Sequence, residues 1–68
     1  MNEVEVGENG IRLGQLLKLA GLVESGGAAK LLLGTGEVAV NGVTESRRGA
    51  ALKAGDVVTC QGERIRLT

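Results

Sequence analysis

The 68-residue sequence has no Phe, Trp or Tyr, no His and no Pro, and a single Cys. Each absence excludes something. Without aromatics the core must be built from Leu, Val, Ile and Ala, and the bases of a single-stranded nucleic acid would find no ring to stack on. Without His, the commonest general acid/base and metal ligand is missing. Without Pro, turns fall to Asn and to the twelve Gly. Cys60 alone can form neither an intramolecular disulfide nor a cysteine metal cluster, which fits a reducing compartment. Apolar runs are as short as Leu31 to Leu33, far below a membrane span. The start shows no basic-then-apolar signal peptide. The expectation is a cytoplasmic protein with no cofactor and no metal.

What is present is ordinary in amount and uneven in placement. Apolar residues make up 43% and charged residues 24%, values of a folded domain. A chain this short buries only about 60% of the surface it exposes unfolded, so it holds one thin apolar layer. The formal net charge is zero, yet Glu3, Glu5 and Glu8 lie in the first nine residues. From Gly10 onward there are eight basic and five acidic residues, a balance of +3.

Residues 1–10 read as an acidic N-terminal tail or an edge strand, since Glu3-Val4-Glu5-Val6 alternates. Residues 11–68 read as one domain. Ile11 to Ala20 is predicted helical, with Leu13, Leu16, Leu17 and Ala20 on one apolar stripe and Gly21 ending it. Ser25 is placed to cap a second helix from about Gly26 to Leu33, burying Ala29, Leu32 and Leu33. Val38 and Val40 alternate as in a strand, and Asn41-Gly42 is the strongest turn signal in the chain. Thr44 to Ala51 is a polar loop carrying Arg47 and Arg48, with Leu52 as its anchor. Strands are predicted at Val57 to Cys60 and Ile65 to Leu67, joined by a Gln61-Gly62 turn. Arg64 and Arg66 are expected on the solvent face of an edge strand. Asp56 reads as a turn residue and Cys60 as a small buried hydrophobe.

Arg12-Leu13, Leu16-Leu17, Gly21-Leu22, Ser25, Ala29-Lys30, Gly36-Glu37-Val38-Ala39-Val40-Asn41-Gly42 and Gly55-Asp56-Val57-Val58 follow one another in an order that resembles the S-four RNA-binding domain. The resemblance covers nearly everything from Ile11 onward. It is most specific at Gly-x-Val-x-Val-Asn-Gly, directly after a short helix bearing Ala-Lys. The whole looks closest to the small stand-alone bacterial proteins of the YbcJ/YaaA-like group. The resemblance implies an α+β fold in which a two-helix S-four (alpha-L) motif packs on a small, mostly antiparallel β-sheet. It implies structured RNA, ribosomal RNA included, as the partner; Glu37 and the strand charges point to a monomer. The sequence departs from the family's pattern at Gly26, where an arginine usually follows the serine, and at Gly14, where an acidic residue often stands.

Phosphate binding needs convergent cations, backbone amides or both. The expected RNA-binding residues are Arg12, Ser25, Gly26, Gly27, Lys30, Asn41, Arg47 and Arg48. Ser25 and the amides of Gly26 and Gly27 would sit at a helix N-terminus, which favours anions. In this family the helix pair and adjoining loop form the RNA-facing groove, which is what assigns Lys30 and the two loop arginines. Asn41 is first a turn residue, and Lys18 reads as a solvated helix residue. An enzyme finds little support: Ser25 and Ser46 have no base near them in sequence, and Gly34-Thr35-Gly36 is not a phosphate-binding loop. Two other readings stand beside RNA binding. One is a protein-docking module. The other is a ubiquitin-like sulfur carrier, suggested by Val-Asn-Gly and Leu-x-x-Gly-Asp-x-Val, although those carriers end in Gly-Gly and this sequence ends Arg66-Leu67-Thr68.

Overall fold

A computed structural model describes residues 2–68. The elements in chain order are β1 (Asn2–Val4), β2 (Ile11–Arg12), α1 (Leu13–Leu19), α2 (Gly26–Gly34), β3 (Val38–Val40), β4 (Val43–Thr44), β5 (Ala51–Leu52), β6 (Val57–Cys60) and β7 (Glu63–Leu67). Five strands form one sheet in the order β1-β7-β6-β3-β4, and β2 pairs with β5 in a separate two-stranded ribbon. Every pairing is antiparallel except β1 with β7. The architecture is α+β, two helices against a mostly antiparallel sheet.

Periodicity explains the layers. α1 buries Leu13, Leu16 and Leu17, and α2 buries Ala29 and Leu33. The sheet answers with Val38, Val58, Cys60, Ile65 and Leu67, taken from one side of three neighbouring strands. Leu52 of β5 completes this core. Each fully buried Leu or Ile contributes roughly 1.5–3 kcal/mol, and without rings the layer is thin enough that every one counts. Cys60 is 2% exposed, and burial, with Glu37 second, pushes its thiol up.

Ser25 caps α2 by accepting from the Ala28 amide at 3.1 Å. Gly21, with φ +77°, closes α1, and the Leu22 amide returns to the Leu17 carbonyl at 3.0 Å. Asn41-Gly42 and Gln61-Gly62 are two-residue hairpin loops with both residues at positive φ.

Three expectations need correction. The first helix begins at Leu13, because Ile11 and Arg12 are extended and pair with Leu52 and Ala51. Gly10 sets this up: its φ is +68°, and a β-carbon there would run into the Leu52 carbonyl. Second, β7 is no edge strand. The N-terminal strand covers its outer side in parallel register, placing Glu3 opposite Arg66, so Arg64 and Arg66 face solvent from an interior strand. Met1 lies outside the described residues. Third, Asp56 is more than a turn residue. It is 7% exposed and accepts from the Lys53 amide at 2.9 Å and the Asn41 amide side chain at 3.0 Å. Asn41 in turn accepts from the Val57 amide at 2.9 Å. The pair clamps the β3–β4 hairpin to the turn before β6.

These donors, the Lys53 amide first and Asn41 second, hold the Asp56 carboxyl below its usual range. A depressed carboxyl stabilises the fold fully above the unfolded value of about 3.9 and loses that contribution as pH falls through the lower folded value. Asp56→Ala should cost about 1.5–3 kcal/mol in urea unfolding at pH 7, the range for hydrogen bonds to a charged group. Its penalty should shrink steadily as the pH is lowered below about 4. An equal penalty at pH 7 and at pH 2 would refute the ionised clamp.

Candidate nucleic-acid interface

The loop between β4 and β5 decides where the cations go. Leu13 and Gly14 open α1, and their amides have no partner within the helix. They donate instead to the loop carbonyls of Ala50 and Arg48, at 2.9 and 2.8 Å. This draws the loop against the helix start. A β-carbon on Gly14 would lie 3.2 Å from both Cβ and Cγ of Arg48 and 3.3 Å from its carbonyl oxygen. The close approach accounts for glycine where a larger side chain would push the loop off.

Two arginines lash the junction from opposite sides. Arg12, just before α1, donates from Nη1 to the Gly49 carbonyl at 2.9 Å. Arg48, on the loop, reaches the Gly26 carbonyl at the start of α2, at 3.4 Å. Gln15 fixes the approach to α1 by accepting from the Arg12 amide at 3.1 Å. A guanidinium has five N–H donors, so each arginine keeps most of its donors for something else.

Around this junction lies an open cleft of about 310 Å³, lined by Arg12, Gly14, Gln15, Lys18, Gly26, Arg48 and Gly49. No acidic residue lines it. The ion pairs among the described residues are Glu45 with Arg47 and Asp56 with Lys53, so Arg12, Lys18 and Arg48 gather without a carboxylate partner. Neither helix has an acidic residue in its first turn, where Asp or Glu would normally answer the positive end of the helix. The start of α2 opens on the cleft through Gly26, whereas the first amides of α1 are taken by the loop carbonyls; the cleft is electropositive by its side chains and by the α2 end.

Of the residues expected from sequence, Arg12, Gly26 and Arg48 come together here. Ser25 and Gly27 flank Gly26 at the helix start, with the Ser25 hydroxyl engaged as the cap. Lys30 is exposed on α2 and is not part of the cleft lining. Arg47 sits one residue outside it, its guanidinium bound to Glu45 at 3.1 and 3.2 Å. Asn41 is elsewhere, with both ends of its amide engaged by the Asp56 clamp. Lys18, read from the sequence as a solvated helix residue, is exposed and also lines the cleft. Its spacing from Arg12 and Gln15 along one helix side was the available signal; what hid it was the packing of the loop that turns this side into a wall. Among the described residues no group of His, Cys, Asp and Glu is placed to hold a metal, and no helix is long and apolar enough to cross a membrane.

The S4 domain family model matches residues 4–68. This chain belongs to the S4 domain family. It is 46% identical over 61 residues to a Bacillus subtilis (strain 168) protein named "Probable ribosome maturation protein RlbA", covering 90% of this chain and 86% of that one. It is 37% identical over 57 residues to YbcJ of Escherichia coli (strain K12), covering 84% and 81%. The solution structure of E. coli YbcJ superposes with a TM-score of 0.75 at 33% identity, over all of this chain and 87% of that one. That structure is described as revealing an alfaL motif involved in RNA binding.

Gly14→Ala should test the loop's hold on α1. Alanine ordinarily adds about 1 kcal/mol to a helix relative to glycine; here pressure on Arg48 should offset that gain. Amide resonances of Arg48 and Gly49 should move while those of β6 and β7 stay. A full gain in stability with the loop resonances unchanged would show that the approach is loose.

Proposed function

We propose that this protein binds structured RNA of the ribosomal type, through the cleft where the two helix N-termini meet the β4–β5 loop. The observation that carries the reading is the gathering of Arg12, Lys18 and Arg48 with no carboxylate to answer them. Three like charges held within one small cleft repel each other, and a polyanion relieves that repulsion. Gly26 and Gly27 supply first-turn amides and no side chain, so a phosphate can approach the backbone closely. Membership of the S4 family, the RNA-binding motif described for YbcJ and the maturation role in the name of the B. subtilis relative all support this direction.

Recognition would be by shape. With no aromatic residue in the chain, stacking on splayed bases is not available, and contacts fall to phosphates and 2′-hydroxyls of a folded RNA. The protein would act as a binder, with no chemistry of its own, in the cytoplasm where its target lies. A protein-docking role finds one observation in its favour: Leu19 and Leu31 are 63% and 77% exposed on the helices.

The test is a salt titration of binding to a structured ribosomal RNA fragment. Neutralising about three to five phosphates should make log K fall against log salt with a slope of roughly −2 to −4. Arg48→Ala and Lys18→Ala should each reduce the slope by about one, and Lys30→Ala should leave it nearly unchanged. Single-stranded homopolymer should compete poorly. No salt-dependent binding by the wild-type protein would move the case to protein docking through the exposed leucines.

A further inference from the structure

Glu45 lies in an unusual position for a half-buried carboxylate. Its Oε2 accepts from two successive backbone amides, Ser46 and Arg47, each at 3.0 Å, and from Arg47 Nε at 3.2 Å. Its Oε1 accepts from Arg47 Nη2 at 3.1 Å. Two adjacent amides and a guanidinium fork converging on one anion make a nest of the kind that binds phosphate oxygens. The nest is anchored, because the Glu45 amide donates to the Val38 carbonyl of β3 at 3.0 Å and the Ala50 amide to the Arg47 carbonyl at 3.1 Å. It is also next in sequence to Arg48, which lines the cleft.

We infer that the Ser46–Arg47 nest is a second backbone-phosphate site of the RNA surface, occupied in the unbound protein by the Glu45 carboxylate, which the phosphate displaces. This rests on the RNA-binding reading above and extends it to residues outside the cleft. The Arg47 side chain is 77% exposed, so an incoming strand reaches it without rearrangement of the core. Glu45 is adjacent to the nest in sequence, so its carboxylate excludes a dilute free anion. RNA held by Arg12, Lys18 and Arg48 presents its next phosphate at high effective concentration, and the balance reverses. The carboxylate thus screens the nest against small anions and yields to a docked polyanion. The carboxyl is held at about 2, first by the Arg47 guanidinium and then by the Arg47 amide, so it stays ionised and in place across the neutral range.

The test uses the full chain and two probes. With a structured ribosomal RNA fragment, Glu45→Ala should bind about three- to tenfold tighter than wild type, and Glu45→Ala/Arg47→Ala should lose that gain. Weaker binding by Glu45→Ala would overturn the proposal, because it would mean that the carboxylate only positions the loop. A gain that survives in the double variant would also overturn it, because removal of a distant negative charge would then suffice. With inorganic phosphate followed by amide resonances, wild type should show little change at Ser46 and Arg47 at millimolar phosphate, and Glu45→Ala should show clear shifts there. No shift in Glu45→Ala would mean that the nest does not take phosphate. If the nest responds to phosphate while wild type shows no salt-dependent RNA binding, the anion site stands and the RNA reading fails.

Discussion

Two backbone hydrogen bonds, from the Leu13 and Gly14 amides to the Ala50 and Arg48 carbonyls, organise the helix–loop junction of this molecule. They satisfy donors that a helix start leaves unpaired and so cap α1 with a segment more than thirty residues away in sequence. Much else follows. Ile11 and Arg12 must stay extended to meet β5, so the helix starts late. A side chain at position 14 would press on Arg48. Arg48 is brought to the cleft wall, and the chain just before it, from Glu45 to Arg47, is left to fold on itself at the rim. Removing the long-range cap would expose two amides and release the loop, taking with it the cation that joins the two helix starts.

The elements built on local rules were legible in the sequence. α2 with its Ser25 cap, the Asn41-Gly42 hairpin, the strand Val57 to Cys60 and the burial of Leu52 all follow from spacing and turn chemistry. The elements missed depend on contacts between distant segments. Nothing local in Ile11-Arg12 marks a two-residue strand, because its partner is Ala51-Leu52. Nothing local in Arg64 and Arg66 shows that β1 covers their strand. For the site the division is the same. Arg12, Gly26 and Arg48 came from their order along the chain, whereas Lys18 needed the loop in place. Asn41 was read as a turn residue with a secondary contact, but its amide is engaged by Asp56 and Val57. A partner fifteen residues away and nearly buried is not something a turn motif announces.

The formal charge of zero describes this surface poorly. No acidic residue lines the cleft. Glu45 and Asp56 are tied to Arg47 and Lys53, and Glu3 lies opposite Arg66 on the far edge of the sheet. Exposed opposite charges separated by more than about 8–10 Å are largely screened at physiological salt. A docking strand therefore feels the local cluster far more than the sum over the chain.

The same reasoning favours the proposed cleft over the open face of the sheet as the surface for RNA. The sheet turns Val38, Val58, Cys60, Ile65 and Leu67 toward the helices, so alternation gives its other side Ala39, Val57, Thr59, Arg64 and Arg66. An open sheet face binds nucleic acid by stacking bases on aromatic rings, and this one has none to offer. Its two arginines stand on a flat surface, one opposite Glu3, with no helix end or glycine backbone beside them. The cleft has three cations without an ion-pair partner, the N-terminus of α2 and glycines that let a phosphate come close. An anion there meets charge, dipole and shape together. On the sheet it would meet charge alone, in full solvent, where a single pair contributes little.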